Sequence, residues 1–389
     1  MNKSSYLLPV LSTVTALIFL ASTASAIPAF ARKYKLSCST CHLAVPKLND
    51  FGEEFAANGF MLPGGNEPKR QYVETGDEDL LLQRYLPLAL RFDGFLQLAD
   101  RDKGSFDLEA PYGIKLLSGG PISSHVSYYL YFYMDERGEV AGLEDAYVHF
   151  NNLFNTTFDI IVGQFQVSDP LFKRELRLTY EDYLVYKMKP SFSRAKLTYE
   201  RGVLVTYGFD FGLDVTAEVL NGNGIGETEN RIFDFDNGKT FAFRLSQRVG
   251  WIRLGGFMYT GSETFEEGEF RRSNTLALYG PDMTIHTGNF ELNVQYLHRE
   301  DNVETNSAMN TRMDGGFVEL IFFPGGERSQ WILSALYNQI ESPGTMYDYK
   351  TATLSVSYML ARNIRLMTEI TEDLLHKEPK LTTGFVTAF

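Results

Sequence analysis

The sequence predicts an all-β fold, a membrane-spanning antiparallel β-barrel of about 16 strands with a small N-terminal helical segment. Three observations carry that expectation. From Arg84 onward apolar and polar residues alternate with period two. The runs last roughly 10 to 14 residues, which suits a tilted bilayer-crossing strand better than an ordinary strand of about 5 to 6. Short turns alternate along these runs with longer polar connections, as in barrels whose two rims differ. Beyond the N-terminus no apolar run approaches the roughly 18 residues of a spanning helix, and the mean hydropathy is −0.18. A formal charge of −13 argues against nucleic-acid binding, which needs a basic face.

Met1–Ala26 reads as a secretory signal peptide. Lys3 supplies the positive start, Leu7 to Leu20 the apolar region, and Ala24-Ser25-Ala26 the small-residue cleavage site. The expected organisation is a signal peptide at 1–26, a plug segment and linker at 27–79, and the barrel at 80–389.

The plug expectation rests on Cys38-Ser39-Thr40-Cys41-His42, which holds both cysteines of the 389-residue chain. C-x-x-C-H is the attachment pattern of c-type haem. Each thiol adds across one vinyl group, and His42 then stands beneath the iron as proximal ligand. Export supports this reading, because covalent haem attachment happens outside the cytoplasm. Two other readings share the pattern. One is a short-loop disulfide beside an unrelated histidine; the other is half a zinc site, which lacks a second cysteine pair. Pro46 stands where a helix can start, Leu48, Phe51, Phe55 and Ala56 follow at helical spacing, and Gly59 can end the turn. Gly64 to Pro68 and the acidic run Glu74 to Asp79 read as a linker. About fifty residues make a poor cytochrome core, so the haem needs walls from the rest of the chain.

In the barrel region Leu88, Leu90, Phe92, Leu96 and Leu98 alternate with Ala89, Arg91, Asp93, Phe95 and Gln97. Phe106, Leu108, Tyr112, Ile114 and Leu116 are expected on one face, opposite Asp107, Glu109 and Lys115. Val126 to Met134 alternates with His125 to Tyr133, and Leu292, Val294 and Tyr296 with Glu291, Asn293 and Gln295. Short turns are expected at Gly119–Pro121, Asn151–Thr156, Arg248–Gly250, Pro324–Glu327 and Ala361–Asn363. Long loops are expected at Asn221–Gly238, Gly261–Glu269 and Arg299–Asp314. Phe389, with Phe385 and Leu381 on its face, resembles the terminal assembly signal of bacterial outer-membrane barrels. A soluble β-sandwich or solenoid is the competing fold. Ser168 to about Arg201, between the fifth and sixth strands, is long and charged. It either folds into the lumen or forms a surface hairpin.

The runs Ile27-Pro28-Ala29-Phe30-Ala31-Arg32, Cys38 to His42, Pro46-Lys47-Leu48-Asn49-Asp50-Phe51-Gly52 and Asn58-Gly59-Phe60 together resemble the fused monoheme cytochrome–porins of bacterial outer membranes. That group includes the outer-membrane cytochromes of iron-oxidising bacteria. The resemblance implies one covalent haem c on Cys38 and Cys41, ligated by His42, in a plug inside the barrel. It implies electron transfer between an extracellular donor, Fe(II) among the candidates, and a periplasmic c-type cytochrome, with outer-membrane lipid around the barrel.

The sixth iron ligand is open in the sequence. Met61 is the nearest thioether and the favoured distal ligand. His125 and His149 have inward parity, His286 falls near a short turn, His298 faces outward, and His376 lies in a loop. Glu136, Glu139, Glu227, Glu229, Glu266, Glu267, Glu269, Glu300, Asp301 and Glu304 are expected at the long-loop rim, as solvated surface or as oxygen donors that concentrate Fe(II). Three functions follow: an electron carrier with Fe(II)-oxidising activity, a diffusion porin for ions or small solutes whose haem is structural or sensory, and a haem peroxidase. For the last, no distal acid–base set stands out.

Overall fold

A computed structural model describes residues 29–389, apart from 63–71, 74, 78–79, 81, 85, 100–105, 141, 227–230, 235–237, 268–269, 305, 307–308 and 344–345. The expected signal peptide, the Gly64–Pro68 part of the linker, and Glu227, Glu229 and Glu269 lie outside the described residues.

The N-terminal segment contains helices α1 (Ala29–Tyr34), α2 (Cys38–Cys41) and α3 (Asp50–Ala57), with strands β1 (His42–Ala44) and β2 (Lys47–Leu48) paired between α2 and α3. The helix expected from Pro46 begins instead at Asp50. Asn49 caps it, its Oδ1 accepting the Gly52 N–H at 2.9 Å. Pro46 sits in the β1–β2 turn, where its missing N–H costs no ladder bond. Gly59 ends the segment at φ 65°, as its position suggested. A short pair, β3 (Tyr72–Val73) and β4 (Leu82–Gln83), precedes the barrel.

Sixteen antiparallel strands then close into one barrel. They are β5 (Leu88–Ala99), β6 (Phe106–Ser123), β7 (Val126–Glu136), β8 (Gly142–Leu153), β9 (Phe158–Gln166), β10 (Tyr199–Gly208), β11 (Leu213–Leu220) and β12 (Thr240–Val249), then β13 (Ile252–Glu267), β14 (Phe270–Thr287), β15 (Phe290–Val303), β16 (Thr311–Phe322), β17 (Trp331–Glu341), β18 (Tyr349–Ala361), β19 (Ile364–Asp373) and β20 (Glu378–Ala388). Each pairs with its sequence neighbours, and β20 closes on β5, with Leu90 and Phe389 exchanging backbone hydrogen bonds of 2.7 and 2.8 Å.

The wall is inverted relative to a soluble protein. On β18 Thr351, Thr353, Ser355 and Ser357 are buried toward the lumen, while Leu354 is 68% exposed and Val356 42%. On β15 Glu291, Asn293, Gln295, Arg299 and Asp301 point inward, and Tyr296 outward. Exposed apolar side chains on a closed sheet are the pattern of a lipid-facing surface. Trp251 and Trp331, the only two tryptophans, lie at the short-turn rim, where Trp331 packs on Tyr358 at 4.8 Å and Phe290 stacks on Phe322 at 4.5 Å. Aromatic side chains at a barrel rim suit a bilayer interface.

Several expected boundaries move. Gly119–Pro121 lies inside β6, whose turn is at Ser124–His125; Phe30 of α1 and Tyr129 pack over Gly119. The expected loop Gly261–Glu269 is largely a continuation of β13, and much of Arg299–Asp314 belongs to β15 and β16. Tyr112 faces the lumen rather than lipid, because it lies in an irregular stretch where the three β6 residues 110–112 face a single residue of β5. His125 leaves the inner face for the β7 turn.

The charged connection between β9 and β10 folds inward and crosses the lumen. Its backbone is held from two stretches of the wall, β19 and β15. Glu369 accepts the Tyr180 and Glu181 N–H groups at 2.8 and 2.9 Å, and Arg365 donates to the Leu178 carbonyl at 2.6 Å. Arg299 donates to the Met188 and Ala195 carbonyls at 3.0 and 2.8 Å and pairs with Asp301 at 2.6 Å. Tyr183, Val185, Tyr186, Met188 and Leu197 complete an apolar core with wall residues such as Phe257, Phe317 and Leu336.

Two outcomes test this arrangement. Leu354→Arg is expected to cost about 2–4 kcal/mol of folding stability in phospholipid vesicles, whereas lumen-facing Ser355→Ala stays within about 1 kcal/mol; urea titration separates them, and equal effects would contradict the lipid-facing assignment. Arg299→Leu strands Asp301 at a cost of about 3–5 kcal/mol and should open the Arg194–Ala195 and Lys196–Leu197 bonds to trypsin in the folded protein.

Candidate haem-binding site

Cys38 and Cys41 stand three residues apart on the single turn of α2, so both thiols project from one side. They are half-buried and not joined to each other. Burial pushes both thiols up, and for Cys41 the neighbouring Cys38 adds to it. His42 follows at the start of β1. Its Nδ1 lies 3.0 Å from the Pro46 carbonyl. A carbonyl only accepts, so Nδ1 carries the proton and Nε2 keeps its lone pair. Burial lowers the imidazole pKa, against a smaller upward pull from the Pro46 and Lys47 backbone. The ring is therefore neutral and oriented, as a metal-ligating histidine must be.

The plug is built to hold this geometry. Asn49 donates from its backbone to the Cys41 carbonyl at 2.9 Å and from Nδ2 to Thr40 at 3.1 Å. A Cβ on Gly52 would come within 2.1 Å of the Cys41 carbonyl oxygen, so glycine is what lets α3 lie directly on α2. Phe55 packs edge-on against Phe30 and Tyr34 at 5.5 and 5.3 Å. Phe30 stacks on Phe60, and Phe60 on Tyr129 of β7, each at 5.0 Å.

Wall contacts seat the plug inside the barrel. Lys47 pairs with Glu291 at 2.7 Å. Arg32 donates to the Leu88 carbonyl, and Asn152 Nδ2 to Asn58 Oδ1 at 2.6 Å. Leu43 and Ala44 pack with Leu178, Ile321 and Met359, and Val45 with Phe95, Tyr112 and Val386.

Between plug, wall and inward-folded connection lies a cavity of about 880 Å³, within the ~300–1,000 Å³ usual for cofactor sites. Both thiols and His42 open onto it. Tyr129, Tyr147, Phe165 and Leu204 form its wall, and Leu171, Phe172 and Tyr183 its roof. Free thiols, an oriented neutral imidazole and an aromatic cavity in one place fit a covalently attached haem.

The remaining expected residues scatter. Met61 is buried, but it is not among the residues that line the cavity; its carbonyl accepts from Asn58 at 2.8 Å. His149 is buried, lines the cavity and lies 3.3 Å from Asp159. His286 is exposed at the cavity mouth. His298 contacts Asp314 and Glu300 on the outer surface, and His376 pairs with Asp373 in its loop. Asp301, near the long-connection end of β15, is not solvated surface: it is buried beside Arg299. Among the described residues no group of three or more His, Cys, Asp or Glu side chains is arranged to hold a bare metal ion.

The roof carries its own charge network. Asp182 receives Arg174 at 2.5 Å and Lys187 at 2.8 Å. Against the upward push of burial, Arg177, Arg174 and Lys187 hold its carboxyl far below the usual range. Glu175 meets Lys115 at 2.9 Å, and its carboxyl too stays low despite burial. The period-two pattern had set Tyr129 and Tyr131 on the inner face, but nothing in it said that they face the plug.

Neither a protein-family model nor a curated protein matches the sequence. Solved structures do resemble the fold. An anion-selective porin from Comamonas acidovorans superposes with a TM-score of 0.59 at 9% identity, covering 78% of this chain and 99% of that one. A loop-deleted form of the Vibrio cholerae outer-membrane protein OmpT gives 0.55 at 13% identity, covering 78% and 99%. Salmonella typhi OmpF, in complex with daunomycin, gives 0.54 at 10% identity, covering 78% and 97%. The chain is thus similar in fold to 16-stranded porins.

Linkage at His42 gives a pH prediction. A depressed folded-state pKa means the plug's full stability is present above the unfolded value near ~6.5 and is lost as pH falls below it. Amide-exchange protection at residues 41–52 of the haem-free protein should drop between about pH 7 and 5. His42→Phe should remove that dependence.

Proposed function

We propose that this chain is an outer-membrane electron-transfer protein with one covalent haem c inside a porin-like barrel, working between an extracellular one-electron donor, Fe(II) among them, and a periplasmic c-type cytochrome. One observation carries the reading: Cys38, Cys41 and His42, whose Nδ1 is engaged by the Pro46 carbonyl, line a single large cavity inside the barrel. Bound there, haem would supply reversible one-electron storage at its iron. The protein's own groups do the rest. The two thiols tether, and Pro46 through His42 Nδ1 fixes the imidazole. Phe30, Phe55, Phe60 and the β7 tyrosines exclude water from the pocket. Met61 and His149 are the candidates for the distal position; of the two, His149 lines the cavity.

A diffusion porin is the second reading, and the fold similarity to porins favours it. The lumen argues the other way. The connection between β9 and β10 is pinned to β19, to β15 and, through Glu175 and Lys115, to β6 on the far side, and the plug occupies the short-turn end.

A visible spectrum of the detergent-extracted protein decides between them. The wild type is expected to show a reducible c-type α-band that survives acid–acetone extraction, and to lose it in Cys38→Ala/Cys41→Ala. Planar-bilayer conductance should be absent or far below that of an open porin. A wild-type chain without the band, conducting like the double variant, would make it a porin and end the electron-transfer reading.

A further inference from the structure

Six Lys and Arg side chains line the cavity: Lys47, Arg91, Lys115, Lys173, Arg248 and Arg253. Four have carboxylate partners. Lys47 meets Glu291 at 2.7 Å, Arg91 meets Asp93 at 2.9 Å, Lys115 meets Glu175 at 2.9 Å, and Lys173 meets Asp169 at 3.7 Å. Arg248 and Arg253 have none among the described residues. They are direct cross-strand partners at the tip of the β12–β13 hairpin. They share the inward parity of Arg244 and Ser246 on β12 and of Phe257 and Tyr259 on β13. Arg248 is exposed and Arg253 half-buried; two like charges directly opposite each other in a ladder repel, and an anion bound between them relieves that repulsion. Glu327 also lines the cavity, without pairing with either.

We infer that Arg248 and Arg253 are a carboxylate-binding fork for the propionate groups of the haem. This rests on the reading that haem fills the cavity. The vinyl and propionate groups of a haem lie on opposite edges of the macrocycle. The cysteines that take the vinyl edge sit near the β18–β19 turn, where the Arg362 guanidinium acts on the Cys38 thiol. The arginine pair sits at the β12–β13 turn, six strands further round the sixteen-strand wall and at the same rim. Arginine presents planar paired donors suited to a carboxylate. The arrangement turns the propionate edge toward the short-turn mouth, where water and a partner protein can reach it. Hydroxyl-bearing Thr284, the register partner of Arg253, also lines this mouth.

The test uses the full holoprotein with Arg248→Gln/Arg253→Gln and the charge-preserving Arg248→Lys/Arg253→Lys. Loss of two positive charges beside the propionates favours the oxidised form. The expected change is about tenfold in the oxidised-to-reduced ratio at fixed potential, a fall of about 59 mV for one electron. The acid-side bend of the midpoint-against-pH curve, which reports propionate protonation, should move toward neutral. The lysine variant should restore most of both. An unchanged curve in the glutamine variant, with its α-band intact, overturns the inference and leaves the haem reading standing. Inorganic phosphate supplies the second arm. Calorimetry should detect its binding to the haem-free Cys38→Ser/Cys41→Ser chain and not to the holoprotein, whose fork is filled. Equal binding to both would assign the arginines to a free anion and overturn the inference. A wild-type chain without haem would overturn it together with the reading beneath it.

Discussion

Closure of the sheet is the constraint from which everything else follows. A bilayer offers no hydrogen-bond partners, so each backbone N–H and C=O in the wall must find one in the neighbouring strand. Sixteen strands achieve this only because β20 returns to β5, down to the paired backbone bonds of Leu90 and Phe389. Closure sets the side-chain chemistry. Leu354, Val356 and Tyr296 must face lipid, and the residues between them must face a lumen lined with Glu291, Asn293, Arg299 and Asp301.

A lumen so polar would ordinarily hold water. Here much of its volume is protein. The β9–β10 connection brings an apolar core of its own, with Tyr183 stacked on Phe317 at 4.2 Å, and spends its backbone polarity on wall side chains such as Arg299 and Glu369. The plug fills the short-turn end. What remains is a bounded chamber with chemically distinct sides: thiols and imidazole from the plug, aromatic rings from β7 to β9, and two unpaired guanidinium groups at the mouth.

Much of this was readable from the residues. Strand number follows from period-two alternation, while the length and charge of the β9–β10 connection marked it as unusual and left an inward fold and a surface hairpin equally open. The C-x-x-C-H run identified the two thiols and His42, and the structure sets all three on one cavity. Boundaries were harder. Gly119–Pro121 looks like a turn because glycine and proline punctuate chains, yet it is strand where an aromatic plug residue must pack close. Tyr112 switched faces through an irregular stretch of β6, which leaves no sign in composition. Met61 was favoured by sequence proximity, but proximity along a chain does not control which wall of a cavity a side chain meets. The arginine pair was invisible for the same reason: Arg248 and Arg253 flank a turn like any other, and what sets them apart is that the other cavity cations have carboxylate partners, two of them, Glu291 and Glu175, far off in sequence.

Val45 of the plug packs on Phe95 and Val386, which belong to the first and last strands of the wall. The seam between those strands joins residues separated by nearly the whole length of the barrel, the contact with the greatest chain entropy to overcome. An apolar wedge touching both sides of it from within adds contacts that exist only when the seam is closed and the segment is seated. Seating the wedge and sealing the cylinder therefore stabilise each other.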